Sequence, residues 1–321
     1  MHPTRRSTDS EPVGTAADFC RDVLDGLSGA PKSLPCKYLY DAHGSRLFDK
    51  ICGLEEYYPT RTETALLTEH AARIGAAIGP HATILEFGSG SSTKTAILLD
   101  ALESPRAYLP IDISHAHMTA AAARLATDYP EIVVQPVSAD YTRPFRLPHD
   151  PHAQSYVGFF PGSTIGNFSP REAQVFLANA RLRLGAGGRF LIGVDLKKPE
   201  RILHAAYNDA AGVTAAFNLN LLRRINREIG ADFILDRFEH EARYDAVNGR
   251  IEMHLVSREA QRVTVADRRF DFAADETIHT ENSYKYTVGE FHDLAARAGW
   301  SVEAWWKDRN VLFSIHLLSN P

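Results

Sequence analysis

The alternation of short apolar strands with amphipathic helices between residues 82 and 195 constrains the fold more than any other feature of the sequence. Apolar runs of strand length alternate there with segments whose apolar residues recur at helical spacing. Because strands joined through helices form right-handed crossovers, this pattern predicts an α/β fold with a parallel, doubly wound sheet. The predicted strands are 82–88, 107–113, 131–140, 155–162 and 189–195.

The pattern changes after Asp195. Residues 198–229 are predicted to be helical, and residues 233–287 are strand-like with a hairpin signal at Asn248-Gly249. A helix and two strands then close the chain. We therefore expect a Rossmann-like domain (60–196 and 286–321), a second, smaller α+β domain (15–59 and 197–285) and a mobile tail (1–14).

One helix start carries a local signal. Thr60 is followed three residues later by Glu63, a spacing typical of a capping box, and the helical pattern continues to Gly79. We predict that this capping box opens a long helix at Thr60.

Composition narrows the class of protein. Hydrophobic residues make up 44% and charged residues 23% of the 321, which is typical of a globular protein. The net charge of −5 argues against electrostatic binding of nucleic acid, and no apolar run reaches the ~18 residues needed to span a membrane. The three cysteines, Cys20, Cys36 and Cys52, have no metal-ligand spacing and suit a reducing compartment. We expect a cytoplasmic monomer with no metal site and no nucleic-acid or membrane partner.

A glycine turn follows the first predicted strand. Glu86, Gly88 and Gly90 form an acidic-x-Gly-x-Gly pattern before a helix, where the backbone can approach a ligand and free N–H groups are available. A dinucleotide fingerprint would require glycine at position 93, which is Thr93. The pattern instead resembles the first motif of methyltransferases that use S-adenosylmethionine. An ordinary strand-to-helix turn is the alternative.

Acidic residues end three successive predicted strands: Glu86, Asp112 and Asp140. Open α/β sheets bind ligands at the carboxyl ends of their strands. Asp112 lies where an acid accepts hydrogen bonds from ribose hydroxyls, and Asp140 lies where such methyltransferases often contact adenine. Helix capping and ordinary solvated acids are the alternative.

Two further features suit a small polar ligand. Asn167 follows the fourth strand in a glycine-containing loop, and its amide can both donate to and accept from a carboxylate or amide. It could instead cap the helix that begins near Ser169. Tyrosines are concentrated in the smaller predicted domain, where core packing is the alternative to ligand contact; they are Tyr40, Tyr57, Tyr58 and Tyr207.

Longer motifs extend from about residue 20 to the C-terminus. They are Lys32–Pro35, Tyr40–Ser45, Glu56–Glu63, Glu86–Gly90, Gly162–Asn167, Tyr207–Asn218, Arg250–Met253 and Glu281–Lys285. Together they resemble the histidine-specific N-α-methyltransferases of ergothioneine biosynthesis. The resemblance implies a class I methyltransferase sheet with a substrate-binding domain. It also implies three methyl transfers from S-adenosylmethionine to the α-nitrogen of L-histidine, giving hercynine and S-adenosylhomocysteine.

The resemblance also implies roles for individual residues. The positions expected to bind the methyl donor are Gly88, Lys94, Asp112 and Asp140, to which the glycine turn adds Glu86 and Gly90. The positions expected to hold histidine are Tyr57, Asn167, Tyr207, Met253, Glu281 and Ser283. Tyr40 matches a tyrosine near the substrate amine and is the expected catalytic residue.

Several alternatives remain open from sequence. Glu281 and Ser283 project from the same face of a strand and could together form hydrogen bonds with both imidazole nitrogens. Glu281 could instead form a surface ion pair with Lys285. The acceptor of the amine proton is undecided between bulk solvent and a tyrosine with water. The rival functions are methyl transfer to another amino acid, such as tryptophan, and non-catalytic nucleotide binding.

Overall fold

The structure is a computed structural model that describes residues 16–89, 93–113, 115–147 and 156–321. The helices in these ranges are α1 (Ala16–Ser28), α2 (Ala42–Cys52), α3 (Tyr58–Ile78), α4 (Thr93–Ala101), α5 (His115–Asp128), α6 (Pro170–Leu184), α7 (Glu200–Tyr207), α8 (Val213–Ile229) and α9 (Val288–Arg297). The strands are β1 (Lys32–Ser33), β2 (Thr83–Phe87), β3 (Ala107–Asp112), β4 (Val133–Val134), β5 (Val137–Ser138), β6 (Tyr156–Phe160), β7 (Arg189–Asp195), β8 (Phe238–Asp245), β9 (Arg250–Ser257), β10 (Gln261–Val265), β11 (Arg268–Phe272), β12 (Thr277–Tyr284), β13 (Ser301–Lys307) and β14 (Phe313–Ser319).

The large sheet has the strand order β13-β14-β7-β6-β2-β3-β4, with β5 also paired to β3. The strands from β4 to β7 run parallel, and β14 is antiparallel to both of its neighbours. The carboxyl ends of β2, β3 and β7 therefore lie along one edge. This arrangement confirms the predicted Rossmann-like fold.

Helices cover both faces of the large sheet because its central strands are apolar on both faces. In β2, Ile84 packs with Leu67 of α3 and Leu98 of α4, whereas Leu85 packs with Leu177 of α6 on the opposite face. Successive side chains of a strand point to opposite faces, so one continuous apolar run serves both cores.

A four-stranded sheet has the order β1-β12-β9-β8. Its hairpin turns at Asn248-Gly249 between β8 and β9, as predicted, and Gly249 has a φ of +65°, which favours glycine. One core joins this sheet to α1, α2, α7 and α8 and includes Val23, Leu47, Leu221 and Leu255. The strands β10 and β11 form a separate two-stranded hairpin.

Three local predictions were wrong. The predicted strand 131–140 is instead the two short strands β4 and β5, because Pro136 between them cannot donate to a ladder. The predicted helical stretch 198–229 is two helices, with Gly212 at a φ of +69° before the second. Helix α3 begins at Tyr58, with Pro59 in its first turn, so Thr60 and Glu63 do not form a capping box at its start. The predicted tail 1–14 and Gly90 lie outside the described residues.

Candidate active site

The turn after β2 brings the backbone to the carboxyl edge of the large sheet. Gly88 has a φ of +78°, and its N–H donates to the carbonyl of Ile111 at 2.8 Å. A Cβ at this position would lie 3.6 Å from the Tyr141 hydroxyl. The left-handed backbone therefore favours glycine, and no side chain projects from the turn at this position.

Glu86 lies below this turn in a buried position. Its Oε2 accepts hydrogen bonds from Thr95 of α4, at 2.6 Å, and from the Tyr108 hydroxyl of β3. Burial raises the pKa of Glu86 to about 7, although these two hydrogen bonds lower it. Glu86 thus joins the turn to its neighbouring strand and helix.

Asp112 and Asp140 lie close together at the same edge. Asp112 ends β3, and its carbonyl accepts from the N–H of Ala139 at 3.1 Å. Asp140 follows β5 by two residues and is buried, accepting from the N–H of Thr142 at 3.0 Å. Lys37 Nζ lies 3.7 Å from the Asp140 carboxylate and links this edge to the segment that precedes α2.

Glu63 is a central residue that sequence reasoning missed. It is 1% exposed, and its carboxylate forms an ion pair with Lys94 and accepts from the N–H of Gly162 at 2.7 Å. A Cβ on Gly193 would lie 1.9 Å from Glu63 Oε1, so the glycine of β7 makes room for the carboxylate. The predicted donor-site residue Lys94 is therefore held by an acid from α3.

Aromatic side chains from α2, from α8 and from the segment before α2 pack in one cluster. The ring of Tyr40 contacts those of Phe48 and Phe217 at centroid distances of 5.5 and 5.3 Å. Tyr57 contacts Tyr207 at 6.1 Å. Phe48 and Phe217 were missed, because apolar residues at helical spacing indicate core packing equally well.

Glu281 places a carboxyl group against this aromatic cluster. It is buried in β12 opposite Met253 of β9, and the Tyr40 hydroxyl lies 3.5 Å from its Oε2. Burial raises the pKa of Glu281 to about 7, whereas the charge of Lys285 and the hydrogen bond from Tyr40 lower it. A carboxyl group with this pKa can accept or donate near neutral pH.

Ser283 lies two residues further along β12 and belongs to a buried polar network. Its Oγ is 2.7 Å from the Tyr207 hydroxyl and 2.6 Å from Lys285 Nζ. Lys285 Nζ forms an ion pair with Asp195 at 2.7 Å, and both side chains are buried. The alternative of a surface ion pair between Glu281 and Lys285 is therefore wrong.

Asn167 ends a short 3-10 turn, Thr164–Asn167, and is partly exposed. A Cβ on Gly166 would lie 2.7 Å from the carbonyl oxygen of Tyr284, so this turn packs closely against β12. Ser169 caps α6 through a capping box with Glu172, and the alternative role of Asn167 as the cap is wrong.

The residues at the edge of the large sheet and the residues around β12 are linked at the end of β7. Asp195 ends that strand, and its N–H donates to Ser163 Oγ at 2.9 Å in the loop that leads to Asn167. Lys285 reaches the same aspartate from β12. Tyr207 and Ser283, which contact Lys285, and the loop that carries Asn167 are thereby linked to the end of β7.

This edge, with its glycine turn, strand-end acids and adjoining aromatic cluster, together with a match to a family of methyltransferases, identifies the chain as a Rossmann-like methyltransferase that uses S-adenosylmethionine. Residues 19–320 match the family model described as "Histidine-specific methyltransferase, SAM-dependent". The chain belongs to the histidine-specific methyltransferase family, and the resemblance found in the sequence is confirmed.

Known relatives agree with this membership. The chain is 45% identical to the histidine N-alpha-methyltransferase of Mycolicibacterium smegmatis and 40% identical to that of Mycobacterium tuberculosis, covering 92% of this chain and 93% of each relative. It is 32% identical to ergothioneine biosynthesis protein 1 of Neurospora crassa, over 90% of this chain and 33% of that longer protein. Within the described ranges, no helix has the length and apolar character required to cross a membrane.

Proposed function

We propose that the protein transfers three methyl groups from S-adenosylmethionine to the α-nitrogen of L-histidine, producing hercynine for ergothioneine biosynthesis and releasing S-adenosylhomocysteine. One observation carries the choice of substrate: a buried carboxyl group, Glu281, lies 3.5 Å from the hydroxyl of Tyr40, which belongs to the aromatic cluster. An apolar aromatic side chain would give this carboxyl no partner beyond Tyr40, whereas an imidazole can form a further hydrogen bond with it.

The residues at the sheet edge suit the methyl donor. Asp112 is assigned to the ribose hydroxyls and Asp140 to the adenine, and Gly88, Gly90, Lys94 and Glu86 are assigned to the remaining contacts with the donor. The fit is supported by the left-handed Gly88, which keeps the turn free of a side chain at this position. The donor supplies a methyl group that is bound to a positively charged sulfur. When the methyl group is transferred, the sulfur leaves as a neutral thioether.

The pocket residues suit histidine. We assign Asn167 and Tyr207 to the carboxylate and Glu281 and Ser283 to the imidazole, with Tyr57 and Met253 as pocket walls. The proximity of Glu281 to Ser283 on one strand and of Ser283 to Tyr207 at 2.7 Å supports one continuous site. Tyr40 is assigned to the region of the amine.

The residues act chiefly by alignment, because an in-line displacement needs nitrogen, methyl and sulfur in a row. Burial and the nearby Glu281 raise the pKa of Tyr40 well above its usual value, so Tyr40 remains a neutral phenol and a hydrogen-bond donor. A neutral Tyr40 is therefore not itself the base that takes the proton of the attacking amine. Aromatic faces tolerate the growing methylated ammonium through cation-π attraction, which suits three successive transfers.

A division of labour between two domains follows from this assignment. We propose that residues 60–196 with 286–321 bind the donor, and that residues 15–59 with 197–285 bind histidine together with Asn167 of the first domain. The separate large and four-stranded sheets support this division. We further propose that the protein acts as a cytoplasmic monomer.

Mass spectrometry of L-histidine incubated with the protein and S-adenosylmethionine tests the proposed reaction. We expect successive additions of one, two and three methyl groups, ending in hercynine. A parallel incubation with L-tryptophan is the comparison. Methylated tryptophan without methylated histidine, or donor binding without turnover of either, would contradict the proposal.

A further inference from the structure

Lys285 is a buried cation to which the reaction proposed above assigns no role. The residue directly follows the last residue of β12, and its side chain lies on the same face as that of Ser283. The side chain is 0% exposed. Its Nζ contacts Asp195 at 2.7 Å, the Tyr207 hydroxyl at 2.9 Å and Ser283 Oγ at 2.6 Å. An ammonium group has three donors and no acceptor, so these contacts use every proton that it carries.

The contacts of Lys285 restrict the two hydroxyl groups. Tyr207 and Ser283 each have one proton, and neither can donate it to an ammonium group. Their oxygens are 2.7 Å apart, so one hydroxyl donates to the other. One of the two protons is used inside the pair, and only one remains for a substrate. Tyr207 and Ser283 therefore cannot both donate to the substrate at the same time.

We propose that Lys285 is a positioning residue that makes Tyr207 the donor to the substrate carboxylate and Ser283 an acceptor for an imidazole N–H. The inference rests on the proposed assignment of Tyr207 and Ser283 to the histidine site. A carboxylate can only accept, so the free proton belongs on Tyr207. Ser283 then donates to Tyr207, and its lone pair that faces away from Lys285 accepts from the imidazole.

Asp195 keeps the ammonium group in place. Burial by itself would lower the pKa of Lys285, but the attraction of Asp195 outweighs it, so Lys285 stays charged and cannot accept a hydroxyl proton. Asp195 is completely buried and also accepts from the Tyr58 hydroxyl at 2.7 Å. A second buried lysine, Lys198, pairs with the same carboxylate and donates to Tyr58 at 2.6 Å. Lys198 is therefore a matched control.

The first experiment compares kcat/KM for L-histidine with kcat/KM for L-histidinamide, which lacks the carboxylate. We expect Lys285→Met to lower this ratio by about ten-fold or more, the effect of losing a hydrogen bond to a charged group. Lys198→Met and Ser283→Ala should keep the wild-type ratio, since both leave Tyr207 bonded to Lys285. Calorimetry should give unchanged affinity for S-adenosylmethionine in Lys285→Met. A wild-type ratio in Lys285→Met, or an equal loss in Lys198→Met, would overturn the proposal.

A double variant separates positioning from general damage. Once Tyr207→Phe has removed the hydroxyl, adding Lys285→Met should not change the ratio further, because Lys285 acts through that group. Independent, multiplying effects would overturn the proposal. If Tyr207→Phe alone keeps the wild-type ratio, the assignment of Tyr207 to the carboxylate fails as well. If Tyr207→Phe lowers the ratio while Lys285→Met does not, only the role of Lys285 fails.

If Lys285→Met does not unfold cooperatively on heating, Lys285→Arg replaces it in the kinetic comparison. Arginine keeps a positive charge beside Asp195, but its planar guanidinium cannot reproduce the three-way donation of an ammonium group. We expect a folded protein with a reduced histidine-to-histidinamide ratio. A folded Lys285→Arg variant with the wild-type ratio would overturn the proposal.

Discussion

In the proposed site, recognition of the imidazole depends most directly on Glu281, a buried carboxyl that lies beside the aromatic cluster. We expect Glu281→Ala to raise the KM for histidine and to lower kcat/KM by roughly 10- to 100-fold, because a hydrogen bond to a charged group contributes ~1.5–3 kcal/mol. Selection against tryptophan should relax at the same time. Steady-state kinetics on both amino acids measure this effect. Asn282→Ala, on the other face of β12, is the control, and wild-type constants in Glu281→Ala would refute the assignment.

A second, independent prediction at the scale of single residues concerns Asp112. Asp112→Ala should weaken binding of S-adenosylmethionine by ~1.5–3 kcal/mol through the loss of hydrogen bonds to the ribose. Isothermal titration calorimetry with the donor measures this directly. The KM for histidine, taken at saturating donor, is the internal control. Unchanged donor affinity would remove Asp112 from the donor site.

At the scale of elements, the fit between α3 and β7 depends on a glycine. A Cβ on Gly193 would lie 1.9 Å from Glu63 Oε1 and 3.1 Å from the ring of Phe313. We expect Gly193→Ala to lower the free energy of unfolding by ~1–3 kcal/mol, the usual effect of overpacking, and to weaken donor binding through the Glu63–Lys94 pair. Denaturant unfolding measures the first effect. Among the described residues, no heavy atom lies within 4 Å of a Cβ on Gly289, so Gly289→Ala is the control.

The large sheet could be predicted because each of its strands and helices carries its own local pattern. Glu63 shows where this approach fails. Its spacing from Thr60 imitates a capping box, whereas its real partners, Gly162 and Gly193, are distant in sequence. The position of Lys285 could not be predicted for a different reason. Strand alternation places its side chain on the face of Glu281 and Ser283, but the sequence does not show that Asp195 would form a buried ion pair with it.

At the scale of the whole molecule, Glu281, the buried acid that we propose to bind the substrate, opposes folding at high pH. Burial raises the pKa of Glu281 in the folded protein to about 7, above its ordinary value of 4.5, so its contribution to stability is present below pH 4.5 and lost as pH rises through 7. We expect Glu281→Gln to be more stable than the wild type at pH 8 by a few kcal/mol. The difference should shrink towards pH 5.

Denaturant unfolding at the two pH values tests this prediction, with Glu69→Gln, an exposed change in α3, as the control. The contribution of His316 to the stability of the folded protein has the opposite pH dependence. Burial lowers its pKa to about 3, so its contribution is present above pH 6.5 and lost as pH falls towards 3. The stability difference between Glu281→Gln and the wild type cancels this common term. A difference that stays constant between pH 5 and pH 8 would contradict the assigned pKa.

The chain leaves the large sheet after Asp195 and returns at Tyr286, and these two points are neighbours. Leu196 and Tyr286 form a parallel bridge, with the N–H of Tyr286 donating to the Asp195 carbonyl at 3.1 Å and that of Lys197 to the Tyr286 carbonyl at 2.9 Å. A segment with adjacent ends can be lengthened, shortened or exchanged without breaking the sheet from which it departs. The substrate specificity that we propose for residues 197–285 can therefore change in evolution while the large sheet is inherited intact.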